Sequence, residues 1–116
     1  MAVRKDKVAL NGDAGTSFSR PFAGLLHGFY VDKGTLAATA DITISDSETG
    51  LVLLTITNLA ANKLYMPRAL NQDLAGADTT LRERFPISGA IKFVVAQGGA
   101  GNVGTAWTYV DEGGEG

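Results

Sequence analysis

The residues able to do chemistry are few and poorly grouped. His27 is the single histidine, and there is no cysteine. A transition-metal site would therefore have to be built almost wholly from carboxylates, which that class of ion seldom accepts. A Ser-His-Asp triad would have to recruit His27 from mid-strand, between Leu26 and Gly28, and no nucleophile-elbow sequence is present to meet it. The expected state of His27 is a half-buried strand residue hydrogen-bonded to a neighbour. Asp41, Asp46 and Glu48 come closest to a carboxylate pair for acid–base work. Asp41 falls on the polar side of its strand, however. Asp46 and Glu48 fall in a turn, where short polar side chains satisfy local backbone donors, and they lack the ligand spacing of a calcium loop.

The glycine-rich run 98–104 has no Lys-Ser/Thr pair and joins two strands rather than opening a helix, so it reads as a mobile hairpin and not a phosphate loop. Arg68, Arg82 and Arg84 bracket the segment 68–84, but Asp73, Asp78 and Glu83 interrupt them and Phe85 is the one aromatic nearby. That is no platform for nucleic acid. Salt bridges across a subunit interface suit these arginines better, with solvated loop charge as the equal alternative. No catalytic residue, cofactor site or metal site is expected.

The elements that position these residues are strands. In TLAATADITIS, Leu36, Ala38, Ala40, Ile42 and Ile44 alternate with Thr35, Ala37, Thr39, Asp41, Thr43 and Ser45. Side chains alternate faces along a strand, so this spacing buries one side, and a strand is expected over 35–45. Further strands are expected at 24–32, 51–57, 63–66, 90–96 and 105–110, separated by turns rich in Gly, Asp and Asn. In the first of these, Leu25, His27, Phe29 and Val31 share one face and Leu26, Gly28, Tyr30 and Asp32 the other. In the last, Trp107 and Tyr109 share a face opposite Ala106, Thr108 and Val110, and core packing is the expected role of the aromatics. The segment 68–84 shows no sustained period and is expected to be a long loop with at most one helical turn, of the kind that often serves as a contact surface.

Length and composition agree with one small domain. The chain has 116 residues, 45% hydrophobic and 19% charged, with 15 glycines set mostly between apolar runs. We expect an all-β fold, a small β-sandwich or barrel-like domain of about six to eight strands. Residues 1–22 should form an extended N-terminal arm, 23–110 the β domain and 111–116 a flexible acidic tail. The net charge of −2 points to neither nucleic acid nor an anionic membrane. No window is apolar enough to span a bilayer or to act as a signal peptide, so cytoplasmic synthesis without export is expected. Charge is uneven, with Arg4, Lys5 and Lys7 near one end and Asp111, Glu112 and Glu115 near the other. These ends read first as two solvated tails, and otherwise as arms that dock on neighbouring chains.

Three stretches carry a resemblance: GTLAATADITIS (34–45), LTITNLAANKLYMPR (54–68) and IKFVVAQGGAGNVGTAWTYV (91–110). The chain from Gly24 to Val110 resembles a family of small proteins encoded among the head genes of tailed bacteriophages. The resemblance implies a capsid decoration, or cement, protein: small, β-rich and trimeric. It would sit on the outside of the phage head, bound to the major capsid protein and stabilising the shell, after synthesis in the host cytoplasm. The candidate partner contacts are then the cations of the end segments and the long loop: Arg4, Lys5, Lys7, Arg20, Arg68, Arg82 and Arg84. Two other readings are a tail or head-fibre module of a phage, and a carbohydrate-binding β-sandwich using Trp107, Tyr109, Tyr30 and Tyr65.

Overall fold

Three inward residues of each central strand explain the architecture. Ile91, Phe93 and Val95 alternate inward on one strand, and Ala106, Thr108 and Val110 do so on another, all fully or almost fully buried. Two sheets with one apolar face each must close on one another, and they do. The computed structural model describes residues 3–13, 15–72 and 74–112, which form eleven strands. These are β1 (Val3–Asn11), β2 (Thr16–Phe18), β3 (Phe22–Asp32), β4 (Asp41–Asp46), β5 (Val52–Ile56), β6 (Lys63–Tyr65), β7 (Ala69–Gln72), β8 (Asp78–Glu83), β9 (Pro86–Gly89), β10 (Ile91–Ala96) and β11 (Val103–Asp111). The fold is all-β.

One sheet runs β1-β11-β3, and the far edge of β3 is shared by β6 and β9. The second runs β2-β10-β4-β5, and β7 with β8 forms a separate two-stranded ribbon. All pairings are antiparallel. Between the sheets lie Leu10, Leu26, Phe29, Val31, Leu36, Ile42, Ile44, Leu59, Ile91, Phe93, Val95 and Val110, each at most 1% exposed. Each large side chain so buried contributes about 1.5–3 kcal/mol from removal of apolar surface.

Five segments differ from expectation, each for a physical reason. Residues 1–22 are not an extended arm over their described part. β1 pairs along its whole length with β11, and Val8 and Leu10 enter the core at 4% and 1% exposure. The strand expected over 35–45 begins only at Asp41. Gly34 at φ 56 starts a pair of turns, closed by Leu36 N–H to Lys33 O (3.0 Å) and Ala40 N–H to Ala37 O (2.9 Å). Leu36 and Ala40 still reach the core from these turns, whereas Ala38, expected on the same side, is exposed.

The segment 68–84 is a β-ribbon, not a loop. Its register sets Leu70 opposite Arg82 and Gln72 opposite Asp78. Because the sheets cover neither of its faces, burial imposes no period on its sequence. The glycine run is packed rather than mobile. Gly98 is buried, Gly12 N–H donates to Asn102 O (2.8 Å), and a methyl group on Gly98 would lie 2.7 Å from Gly12 Cα. The acidic C-terminal end also folds back in part. Asp111 belongs to β11 and Glu112 is tied to the body, whereas Glu115 lies outside the described residues.

Candidate protein-binding face

The outer face of the first sheet is built by strand register. Lys7, Trp107, Tyr30 and Leu64 form one row across β1, β11, β3 and β6. Lys5, Tyr109 and Gly28 form the adjacent row. Because inner positions of these strands fill the core, the alternation that buries Ala106, Thr108 and Val110 turns Trp107 and Tyr109 outward. Both rings and Tyr30 are half-buried by flanking side chains, not packed in the core as expected. Leu64 and Met66 are 50% and 53% exposed. Met66 lies over Gly28, where an added Cβ would meet its Cγ at 3.0 Å.

A β-bulge arranges one end of this face. The β3–β11 register jumps between Tyr109 and Val110, pairing Tyr109 with Gly28 and Val110 with Leu26. His27 is the extra residue, and a bulge re-aims side chains. It is exposed rather than half-buried, and Leu26 instead of Leu25 joins Phe29 and Val31 in the core. Leu25 (40% exposed) and Val3 (50%) extend the outer apolar tract.

Trp107 is the centre of charge as well as of apolar area. The Lys5 and Lys7 Nζ atoms lie 5.3 and 5.6 Å from its ring centroid. An ammonium at that distance is attracted to the negative face of the indole, so both lysines are held beside the aromatic cluster. Such a face matches a protein surface carrying apolar groups with carboxylates among them.

The other predicted contacts are dispersed. Arg4 Nη1 pairs with Glu112 Oε1 (3.4 Å), and Glu112 Oε2 also accepts the Ala23 N–H (3.0 Å). Arg84 Nη1 meets the buried Asp111 Oδ2 (3.3 Å). These two arginines therefore have acidic partners within their own chain. Arg20 sits with its guanidinium 5.7 Å from the Phe22 ring. Arg68 Nη1 donates to His27 O (3.1 Å) and Pro67 O (2.9 Å), fixing the root of the ribbon. Arg82 is exposed on β8. Of the seven predicted cations, only Lys5 and Lys7 converge on the aromatic cluster.

Asp41 accepts the Asn58 N–H through Oδ1 (2.9 Å), and Asp46 Oδ1 accepts the Glu48 N–H (2.9 Å). Both carboxylates thus serve turns. Among the described residues no group of three or more His, Cys, Asp or Glu is placed to hold a metal ion, and no enclosed pocket is formed. Among the described residues no helix is long and apolar enough to cross a membrane. Tyr65 points inward beneath β3, and burial raises its hydroxyl above the usual tyrosine range.

Sequence reasoning missed Leu64, Met66 and the clustering of both lysines on Trp107. The Trp107–Tyr109 spacing was the available signal, since a period of two puts both rings on one face but does not say which face is covered. Compared with known proteins, the chain matches no family model, no curated protein and no solved structure.

Proposed function

We propose that the outer face of the β1-β11-β3-β6 sheet binds a protein surface, and that the chain is a decoration protein of a phage head, in contact with the major capsid protein. The observation that carries this reading is the outward row Trp107–Tyr30–Leu64, half-buried at its two rings and exposed at Leu64, with Lys5 and Lys7 beside Trp107. Contiguous exposed apolar area of this kind marks interaction sites. The resemblance in 34–45, 54–68 and 91–110 supplies the partner. Many copies binding only the assembled shell would stabilise it by mass action.

The test is co-sedimentation with purified expanded heads. Wild-type chain should saturate the shell, and Trp107→Ala and the pair Lys5→Glu with Lys7→Glu should lower occupancy at least ~10-fold, as central aromatic contacts do at interfaces. Wild-type chain that stays in the supernatant overturns the reading. Placement on a tail or fibre in an imaged particle would move the assignment to that module.

One observation favours a second reading. Trp107, Tyr109 and Tyr30 lie on an outer face rather than in the core, which is what a sugar-stacking platform needs. A glycan array gives the decision: binding that is lost in Trp107→Ala would support a carbohydrate site.

A further inference from the structure

β6 and β9 lie along the same edge of β3. β6 sets Lys63, Leu64 and Tyr65 opposite Val31, Tyr30 and Phe29. β9 sets Pro86, Ile87, Ser88 and Gly89 opposite Leu25, Gly24, Ala23 and Phe22. Both run antiparallel to β3, so they are two parts of one edge strand. Continuing the first register puts Met66 opposite Gly28 and Pro67 opposite His27. The contact agrees, since a Cβ added to Gly28 would meet Met66 Cγ at 3.0 Å. Continuing the second register backward puts Phe85 opposite Leu26, and the Leu26 N–H donates to Phe85 O (2.8 Å). Pro67 and Phe85 therefore take adjacent places along β3, and the segment 68–84 between them takes none.

The root of this inserted segment is tied to the body. Arg68 Nη1 donates to His27 O (3.1 Å), and Arg84 Nη1 meets Asp111 Oδ2 (3.3 Å). Beyond the root, β7 and β8 pack chiefly on each other, and Gln72 Nε2 donates to Asp78 Oδ1 (2.7 Å) inside the ribbon. Leu74 in the turn is fully exposed and Leu81 on β8 is 66% exposed. Two antiparallel strands by themselves are marginally stable in water, and exposed leucines add no buried area to the core. A surface excursion of this kind costs the rest of a fold little, and such excursions carry contacts.

We propose that Leu70–Arg82 is a contact arm inserted into the β6–β9 edge strand, dispensable for the fold, which brings Leu74 and Leu81 against the same protein surface that the outer face of the larger sheet binds. This partner rests on the decoration-protein reading. Continuity supports it. Leu64 and Met66, 50% and 53% exposed, belong to the outer face, and the chain passes from them through Pro67 into the ribbon. The arm thus leaves the body at the margin of that face. Asp78, Arg82 and Glu83 are exposed beside Leu81 along β8, and apolar groups among charges of both signs suit a protein partner.

Replacing Leu70–Arg82 by Asn-Gly keeps Arg68, Arg84 and the Ala69–Glu83 pair and closes the ribbon with a two-residue turn. This shortened chain should keep the urea midpoint of wild type and lower occupancy of purified expanded heads at least ~10-fold in co-sedimentation. In the full chain, Leu74→Ser combined with Leu81→Ser should give a similar loss with an unchanged circular dichroism spectrum, because both positions are exposed. A shortened chain that unfolds, or whose midpoint falls, would overturn the insertion. Heads occupied by both the shortened chain and the double variant as by wild type would overturn the contact role, and a loss confined to Trp107→Ala would leave the contact to the sheet alone. Wild-type chain that stays in the supernatant would overturn the decoration-protein reading and this partner together, while the urea midpoint still decides the insertion.

Discussion

Phe29 of β3 and Phe93 of β10 meet edge to face across the core, with ring centroids 5.9 Å apart and planes at 87°. The positive edge of one ring meets the negative face of the other, adding about 0.5–1.5 kcal/mol to the apolar burial. Neither ring is exposed, and each comes from a different sheet, so this contact joins the two layers directly.

Truncation at this contact should be among the most damaging changes in the molecule. Phe93→Ala is expected to cost about 3–5 kcal/mol through lost burial and the cavity left behind. Phe93→Leu should cost less, because most of the apolar volume stays. Urea denaturation of both variants measures the difference. Equal losses would show that the ring edge, not the volume, sets the stability.

The two strands that form this contact also show how much of the fold was legible from residues alone. In 91–96 the inward Ile91, Phe93 and Val95 alternate with half-exposed or exposed neighbours, and one sheet face is visible from that spacing. In 22–32 the spacing misleads, because the bulge at His27 shifts the inner set from Leu25 to Leu26 without any break in composition. β1 reads as a polar arm because Lys5 and Lys7 occupy its outer positions, and only Val8 and Leu10 reveal the core side. The cluster of Lys5, Lys7 and Trp107 rests on a pairing between the two ends of the chain. Long-range pairing of that kind leaves no local signal.

The Thr108 hydroxyl makes a further test of the core. Thr108 is fully buried, and its Oγ1 has no hydrogen-bond partner among the described residues. A buried polar atom without a partner costs about 1–3 kcal/mol, and removing it is neutral or stabilising when shape is kept. Thr108→Val should therefore hold or raise the thermal midpoint. A fall of more than about 1 kcal/mol in stability would show that the hydroxyl is satisfied.

Two glycines should respond to alanine for different reasons. At Gly98 a Cβ would meet Gly12 Cα at 2.7 Å and Val95 Cγ1 at 3.0 Å, so overpacking costs about 1–3 kcal/mol. At Gly50 nothing lies within 4 Å, but φ is +78, and the cost is the left-handed backbone alone, about 1–2 kcal/mol. Replacement by asparagine, which tolerates that conformation, should recover part of the loss at Gly50 and none at Gly98. Denaturation midpoints of the four variants decide it.

Tyr65 should give the fold an alkaline limit. Burial raises its ionisation above the unfolded value of 10.0. The folded state thus favours the neutral phenol. The associated stability is fully present below pH 10.0 and is lost as pH rises through the higher folded value. The Lys63 ammonium lies 5.3 Å from the ring centroid in both proteins, so the difference between wild type and Tyr65→Phe isolates the phenol. That difference should grow above pH 10.0 and stay flat below it. A difference unchanged through this window would mean that the hydroxyl is solvated in the fold.

Trp107 offers the most direct reading of the outer face, because it is the single tryptophan in the chain. Its ring is half-buried beneath Lys5 and Lys7. Each lysine should contribute no more than about 1 kcal/mol to stability, the usual value for an exposed cation over an aromatic ring. Lys5→Ala and Lys7→Ala should therefore leave the denaturation midpoint almost unmoved. Both share one ring, so their effects should not add. Occupation of the face by a protein surface removes water from the indole, and the emission should move to shorter wavelength when expanded heads are added. The same titration with Lys5→Ala and Lys7→Ala combined should need a higher concentration of heads and flatten as salt rises, since exposed charges are screened. Emission that stays fixed while the chain co-sediments with heads would place the contact away from this sheet.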